Sequence, residues 1–177
     1  MWLAHDHRTR LRGGRAPGAH GPEGTWSEPG PGRPTLRILV TVESLERAGK
    51  ALALATRLAG PTASLRILHV RMWDRVPRGG GRFFFESSLE ATATVDAALR
   101  WVWRAGVAAS GVVVEAPRAR IAEAVVDEAN RWSADTVVLT LCPRRHAGLG
   151  FGVWDRVSRQ VMRRTTLPVV AVHPGPD

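Results

Sequence analysis

The stretch from 36 to 70, "LRILVTVESLERAGKALALATRLAGPTASLRILHV", decides the fold. Its opening run, Leu36 to Val42, is short, apolar and rich in β-branched side chains, and Glu43-Ser44 closes it. The apolar period then turns helical. Leu45, Ala48, Leu52, Ala55 and Ala59 fall on one face before Gly60-Pro61 stops the helix. A second apolar run, Ser64 to Val70, follows at once. Strands that are apolar throughout, instead of at alternate positions, belong to a parallel sheet covered by helices on both faces.

The same alternation continues to the end of the chain. Arg71 to Phe85 carries Pro77 and Gly79-Gly80-Gly81 and is expected to be a long loop. Ser87 and Glu90 have capping-box spacing, which predicts a helix to about Ala105 with Val95, Leu99, Val102 and Trp103 on one face and Gly106 at its end. "GVVVEA" (111–116) is a third strand, and Pro117 introduces a helix with Ile121, Ala124, Val125, Ala129 and Trp132 on one side. "DTVVLTL" (135–141) is a fourth strand. The last helix carries Trp154, Val157, Ser158, Val161 and Met162 at helical spacing, and "LPVVAVH" (167–173) is the fifth strand. Pro168 suits only the start of a strand or the edge of a sheet. Right-handed crossovers leave a three-layer, doubly wound five-stranded parallel sheet of order 3-2-1-4-5 as the expected fold.

Residues 1–34 have another texture. "RGGRAPGAHGPEGTWSEPGPGRP" is rich in Gly and Pro, shows no period and holds almost no aliphatic side chain, so it predicts a disordered tail ahead of a domain at 35–177. His5 and His7 lack a third metal ligand at useful spacing. The formal charge is +9, carried almost wholly by arginine, since Lys50 is the only lysine. Such a balance favours anionic partners in general, yet no tract of basic residues appears, only pairs such as Arg144-Arg145 and Arg163-Arg164. Nucleic acid is therefore not the expected partner, and weak association through the basic surface is kept as an alternative. No run of apolar residues is long enough for a membrane span, and a single cysteine fits a reducing cytoplasm.

In a sheet of this order, ligands bind where the strand order reverses, beyond the carboxyl ends of the first and fourth strands. Those ends are Val42-Glu43 and Leu141-Cys142, and the loop "CPRRHAGLGFGVWDR" (142–156) lies beside them. A helix N-terminus there favours an anion. Arg144, Arg145 and Arg156 would assist, while Asp155 would repel a phosphate.

Taken together, "RILVTVES", "LRILHV", "SADTVVLT" and above all "RVSRQVMRRTTLPVVAV" resemble the universal stress protein family, in the expected order from about Leu36 to His173. Pro117 and Ile121 match its P-x-x-x-I helix opening. The resemblance implies an adenine nucleotide alpha hydrolase-like fold and, for many members, ATP bound through G-x-x-G-x9-G-(S/T). Aligned without gaps from "RVSRQV", those four positions are Cys142, Arg145, Asp155 and Arg156, so all are replaced. Glu43 stands where an Asp is usual, Arg144 coincides with a common Arg, and Val157-Ser158 match the helix turn behind the loop. By resemblance the tentative nucleotide crevice is Val42, Glu43, Val70, Arg144, Val157 and Ser158. The implied protein is a cytoplasmic, non-enzymatic stress-response homodimer that pairs through Pro168, Val169, Val170, Ala171 and Val172, with little or no ATP binding. An ATP-binding member with a rearranged loop around Gly148, Gly150 and Gly152 is the alternative.

Other chemistry is sparse. Cys142 beside arginines could be a redox sensor or a small packed residue. His69 is expected to pack, and His146 to be solvated or to touch an anion. Asp127 and Glu128 point to different faces of a helix and make no catalytic pair, and Ser158 has no evident general base. Trp101 and Trp103 cannot share a helix face. "RFFFE" (82–86) reads either as an interaction patch or as a folded-back lid.

Overall fold

The computed structural model describes residues 10–11, 36–60, 62–77, 79–140 and 152–173, with the backbone alone at 10–11 and 152–155. The strands are β1 (Arg10–Leu11), β2 (Arg37–Thr41), β3 (Ser64–Arg75), β4 (Arg82–Phe84), β5 (Ala108–Pro117), β6 (Thr136–Thr140) and β7 (Val169–Val172). The helices are α1 (Leu45–Ala59), α2 (Ser88–Arg104), α3 (Ile121–Trp132) and α4 (Gly152–Arg164), with a 3-10 turn at Arg118–Arg120. Five strands run parallel in the order β5-β3-β2-β6-β7, the doubly wound arrangement of the expected 3-2-1-4-5 sheet. Two antiparallel pieces are added, β1 along β5 and β4 along β3.

The continuous apolar runs are explained by the two layers they separate. Ile38 and Val40 of β2 and Val42 just after it join Leu65 and Ile67 of β3 in a core sealed by Ala48, Leu52, Val95 and Leu99 of α1 and α2. Leu39, Leu68, Val70 and Val137 face the other way, into a core with Ile121, Val125, Val157 and Val161 of α3 and α4. The central strands β2 and β6 thus bury both their faces.

Local signals set the helix ends. Ser87 Oγ accepts from the Glu90 N–H at 3.2 Å while Glu90 Oε2 accepts from the Ser87 N–H at 2.7 Å, the reciprocal capping box. Gly106, at φ 76°, closes α2 in the left-handed region. The tight packing of α2 on β5 depends on a missing side chain: a Cβ at Gly111 would lie 2.3 Å from Val95 Cγ1 and 2.9 Å from Leu99 Cδ1.

Three expectations are corrected. The long loop at Arg71 to Phe85 is instead a β-hairpin. β3 runs on to Arg75, and β4 folds back with Trp73 opposite Phe84 and Arg75 opposite Arg82. β5 also starts three residues earlier than the third strand predicted at Gly111. Finally, Leu45 and Met162 sit on expected apolar faces yet are exposed, at the first turn of α1 and near the end of α4. Trp101 is exposed and Trp103 half-buried, with its indole N–H donating to the Ala109 carbonyl at 3.3 Å. The expected tail lies outside the described residues except at Arg10–Leu11.

Candidate functional site

The strand order reverses between β2 and β6, so their carboxyl ends flank the expected crevice. Val42 follows β2 and is fully buried. Both its backbone polar groups are engaged: the N–H donates to the Leu68 carbonyl at 2.9 Å, and the carbonyl accepts from His69 Nδ1 at 2.7 Å. Since a carbonyl can only accept, Nδ1 carries a proton. His69 Nε2 lies 2.7 Å from Glu86 Oε1, and that hydrogen bond needs one further proton, on the ring or on the carboxyl group. His69 is therefore a buried bridge from the end of β2 to the residue before the α2 cap, a role that simple packing does not describe.

Glu43 comes next. Arg47, one turn into α1, donates from Nη1 to both of its carboxylate oxygens at 3.2 and 3.3 Å. Burial pushes the Glu43 carboxyl up from its ordinary value, opposed by the charge and hydrogen bond of Arg47 and by the charge of His69. Desolvation outweighs the ion pair.

Of the other expected crevice residues, Val70 and Val157 meet in the core beneath α3 and α4, whereas the Val42 side chain belongs to the opposite layer. Ser158 is buried beside Val157. Arg144 lies outside the described residues, as do Cys142, Arg145 and His146. Asp155 and Arg156, aligned with the third glycine and the hydroxyl residue of the ATP motif, lie about one turn inside α4, which starts at Gly152.

Sequence reading missed Arg47, Glu86 and the buried ion cluster on α3. Glu43 and Arg47 stand at helical i,i+4 spacing, a signal that was available. His69 and Glu86 carry no local signal, and neither does Glu128, which is 1% exposed and held by Arg66 Nη2 at 3.0 Å and by Arg131. Asp127 is exposed, so the adjacent carboxylates are indeed apart. Among the described residues no three His, Cys, Asp or Glu side chains gather as a metal site, and no helix is long and apolar enough to cross a membrane.

Residues 35–173 match the universal stress protein family. The chain belongs to that family. Solved universal stress proteins share its fold. One from Burkholderia pseudomallei is 24% identical, covers 82% of this chain and 100% of its own, and superposes with a TM-score of 0.58. A universal stress protein in complex with cAMP is 18% identical, covering 79% of this chain and 98% of its own at TM-score 0.58. A family member from Arabidopsis thaliana with AMP bound is 15% identical, covering 80% and 94% at TM-score 0.56. None of the curated proteins matches the sequence. In this universal stress protein the β2 end is thus tied internally at Val42, Glu43 and His69.

Proposed function

We propose that this universal stress protein is a non-enzymatic regulator of the stress response, cytoplasmic and homodimeric, with little or no affinity for ATP. The observation that carries the reading is the closed end of β2. Val42 has its N–H and carbonyl committed to Leu68 and His69, and Glu43 is turned onto Arg47. A nucleotide using Glu43 would have to displace its contact with Arg47, and hydrogen bonds to charged groups are worth about 1.5–3 kcal/mol. The replaced loop glycines point the same way, as does a helix α4 that already includes Asp155 and Arg156. On this reading no step of chemistry runs through ATP.

A second reading draws on the neighbours solved with cAMP and AMP. It takes the chain as an adenine-nucleotide binder with a rearranged loop at Gly148 to Gly152. Thermal unfolding with millimolar ATP and Mg²⁺ separates the two, since a ligand at 100 times its dissociation constant adds about 2.7 kcal/mol. An unchanged melting temperature is expected, and a clear rise supports the second reading.

A further inference from the structure

His69 offers two ring nitrogens to two oxygens, and a carbonyl and an ionised carboxylate can only accept. Nδ1 lies 2.7 Å from the Val42 carbonyl and Nε2 lies 2.7 Å from Glu86 Oε1. A neutral imidazole carries one N–H. Whichever nitrogen holds it, the other contact sets a lone pair against an oxygen. Holding both ends takes a second proton, on the ring or on the Glu86 carboxyl group. Water cannot stand in at the Val42 end, since Val42 is fully buried and His69 is 3% exposed. It can at the other end, where 25% of the Glu86 side chain is open to solvent. The charged groups around the ring have their own partners. Glu43, next to Val42, is held by Arg47 of α1. Arg71, two residues along β3, donates to the Glu86 carbonyl from Nε at 3.1 Å and to Glu115 of β5 from Nη1 at 2.7 Å. Glu90 of α2 is turned to the Ser87 N–H. Among the described residues, Glu86 alone meets Nε2.

We propose that His69 and Glu86 form a proton-dependent latch between the carboxyl end of β2 and the junction of β4 with α2. With the second proton in place both bonds hold, and the junction is tied to the strand end at the candidate site. When that proton leaves, the remaining N–H stays with the Val42 carbonyl. An unmet buried carbonyl costs more than a carboxylate that can turn to water. Two acceptors then face each other at Nε2, and the Glu86 side chain swings outward. Arg71 keeps its hold on the Glu86 backbone, so the latch opens without unravelling the hairpin. The contact exists with the proton and not without it, so it stabilises the fold in acid and ceases to do so as the pH rises. Histidine is the side chain that ordinarily changes charge between about pH 5 and 8, which suits it to such a switch. The latch rests on the bridge alone and operates whether or not the β2 end takes a nucleotide.

The test is a double-mutant cycle of His69→Asn and Glu86→Ala on the full-length chain, read from urea unfolding at about pH 5.5 and about pH 8. Asn keeps a donor for the Val42 carbonyl and removes Nε2. At the acid end the coupling should change the unfolding constant by roughly tenfold or more, the scale of a hydrogen bond to a charged group. At the alkaline end it should vanish. The cycle cancels the titration of groups outside the pair, Glu43 included. Glu86→Gln supplies an N–H that a neutral Nε2 accepts, so this variant should hold the latch shut at both pH values. Its stability relative to wild type should therefore rise from acid to alkaline pH. That comparison alone decides the outcome if His69→Asn fails to fold. Coupling of equal size at both pH values, or none at either, overturns the proposal. So does a Glu86→Gln variant with the pH profile of wild type.

Discussion

At the residue scale, Glu43 shows how one added methylene alters a site. Its carboxylate reaches forward to Arg47, in a place that shields it partly from water. Its folded-state pKa is raised, so its contribution to stability is complete below about the unfolded value of 4.5 and is lost as the pH rises through the folded value. At neutral pH the ionised group therefore costs stability. Glu43→Gln keeps an acceptor for Arg47 without the charge. The variant should melt higher than wild type at pH 7 by no more than about 2–4 °C, the equivalent of 1 kcal/mol in a chain of this size. That gap should close as the pH is lowered towards 4.5, and a gap unaffected by pH would contradict this account. The i,i+4 spacing made the Glu43–Arg47 contact legible in the sequence. The His69–Glu86 contact was not, since it depends on where the hairpin returns the chain.

At the element scale, periodicity was enough to place every long helix and all five parallel strands. It failed between Arg71 and Phe85, where Pro77 and the three glycines resemble a loop. The glycines make the turn, and the pairing of Trp73 with Phe84 makes the strands, which only the partner strand reveals. Gly111 is the converse case. It reads as a weak position in a strand, and the structure shows that α2 requires it. Gly111→Ala should destabilise the fold by about 1–3 kcal/mol, the usual cost of overpacking, measured as a lower urea midpoint with an unchanged slope. A neutral substitution would mean that α2 is free to shift. Buried charge was also hidden: Glu128 on α3 is matched by Arg66 on β3, far away in sequence.

At the scale of the whole molecule, β7 is the edge of the sheet. Its side away from β6 has no strand partner among the described residues, and Ala171 is exposed. An open, apolar edge strand invites pairing with another copy. Light scattering should therefore give a dimer for the wild type. Ala171→Glu, which sets like charges across a two-fold strand pair, should give a monomer with the melting temperature nearly kept. A monomeric wild type would remove the dimer from the account.

The central claim concerns the closed β2 end, and isothermal titration with ATP and with AMP, each with and without Mg²⁺, tests it most directly. The account predicts no binding heat at high protein concentration for either nucleotide. Micromolar binding, lost on mutation of Arg144 or of the Gly148 to Gly152 loop, would contradict it and establish a rearranged but working nucleotide cradle.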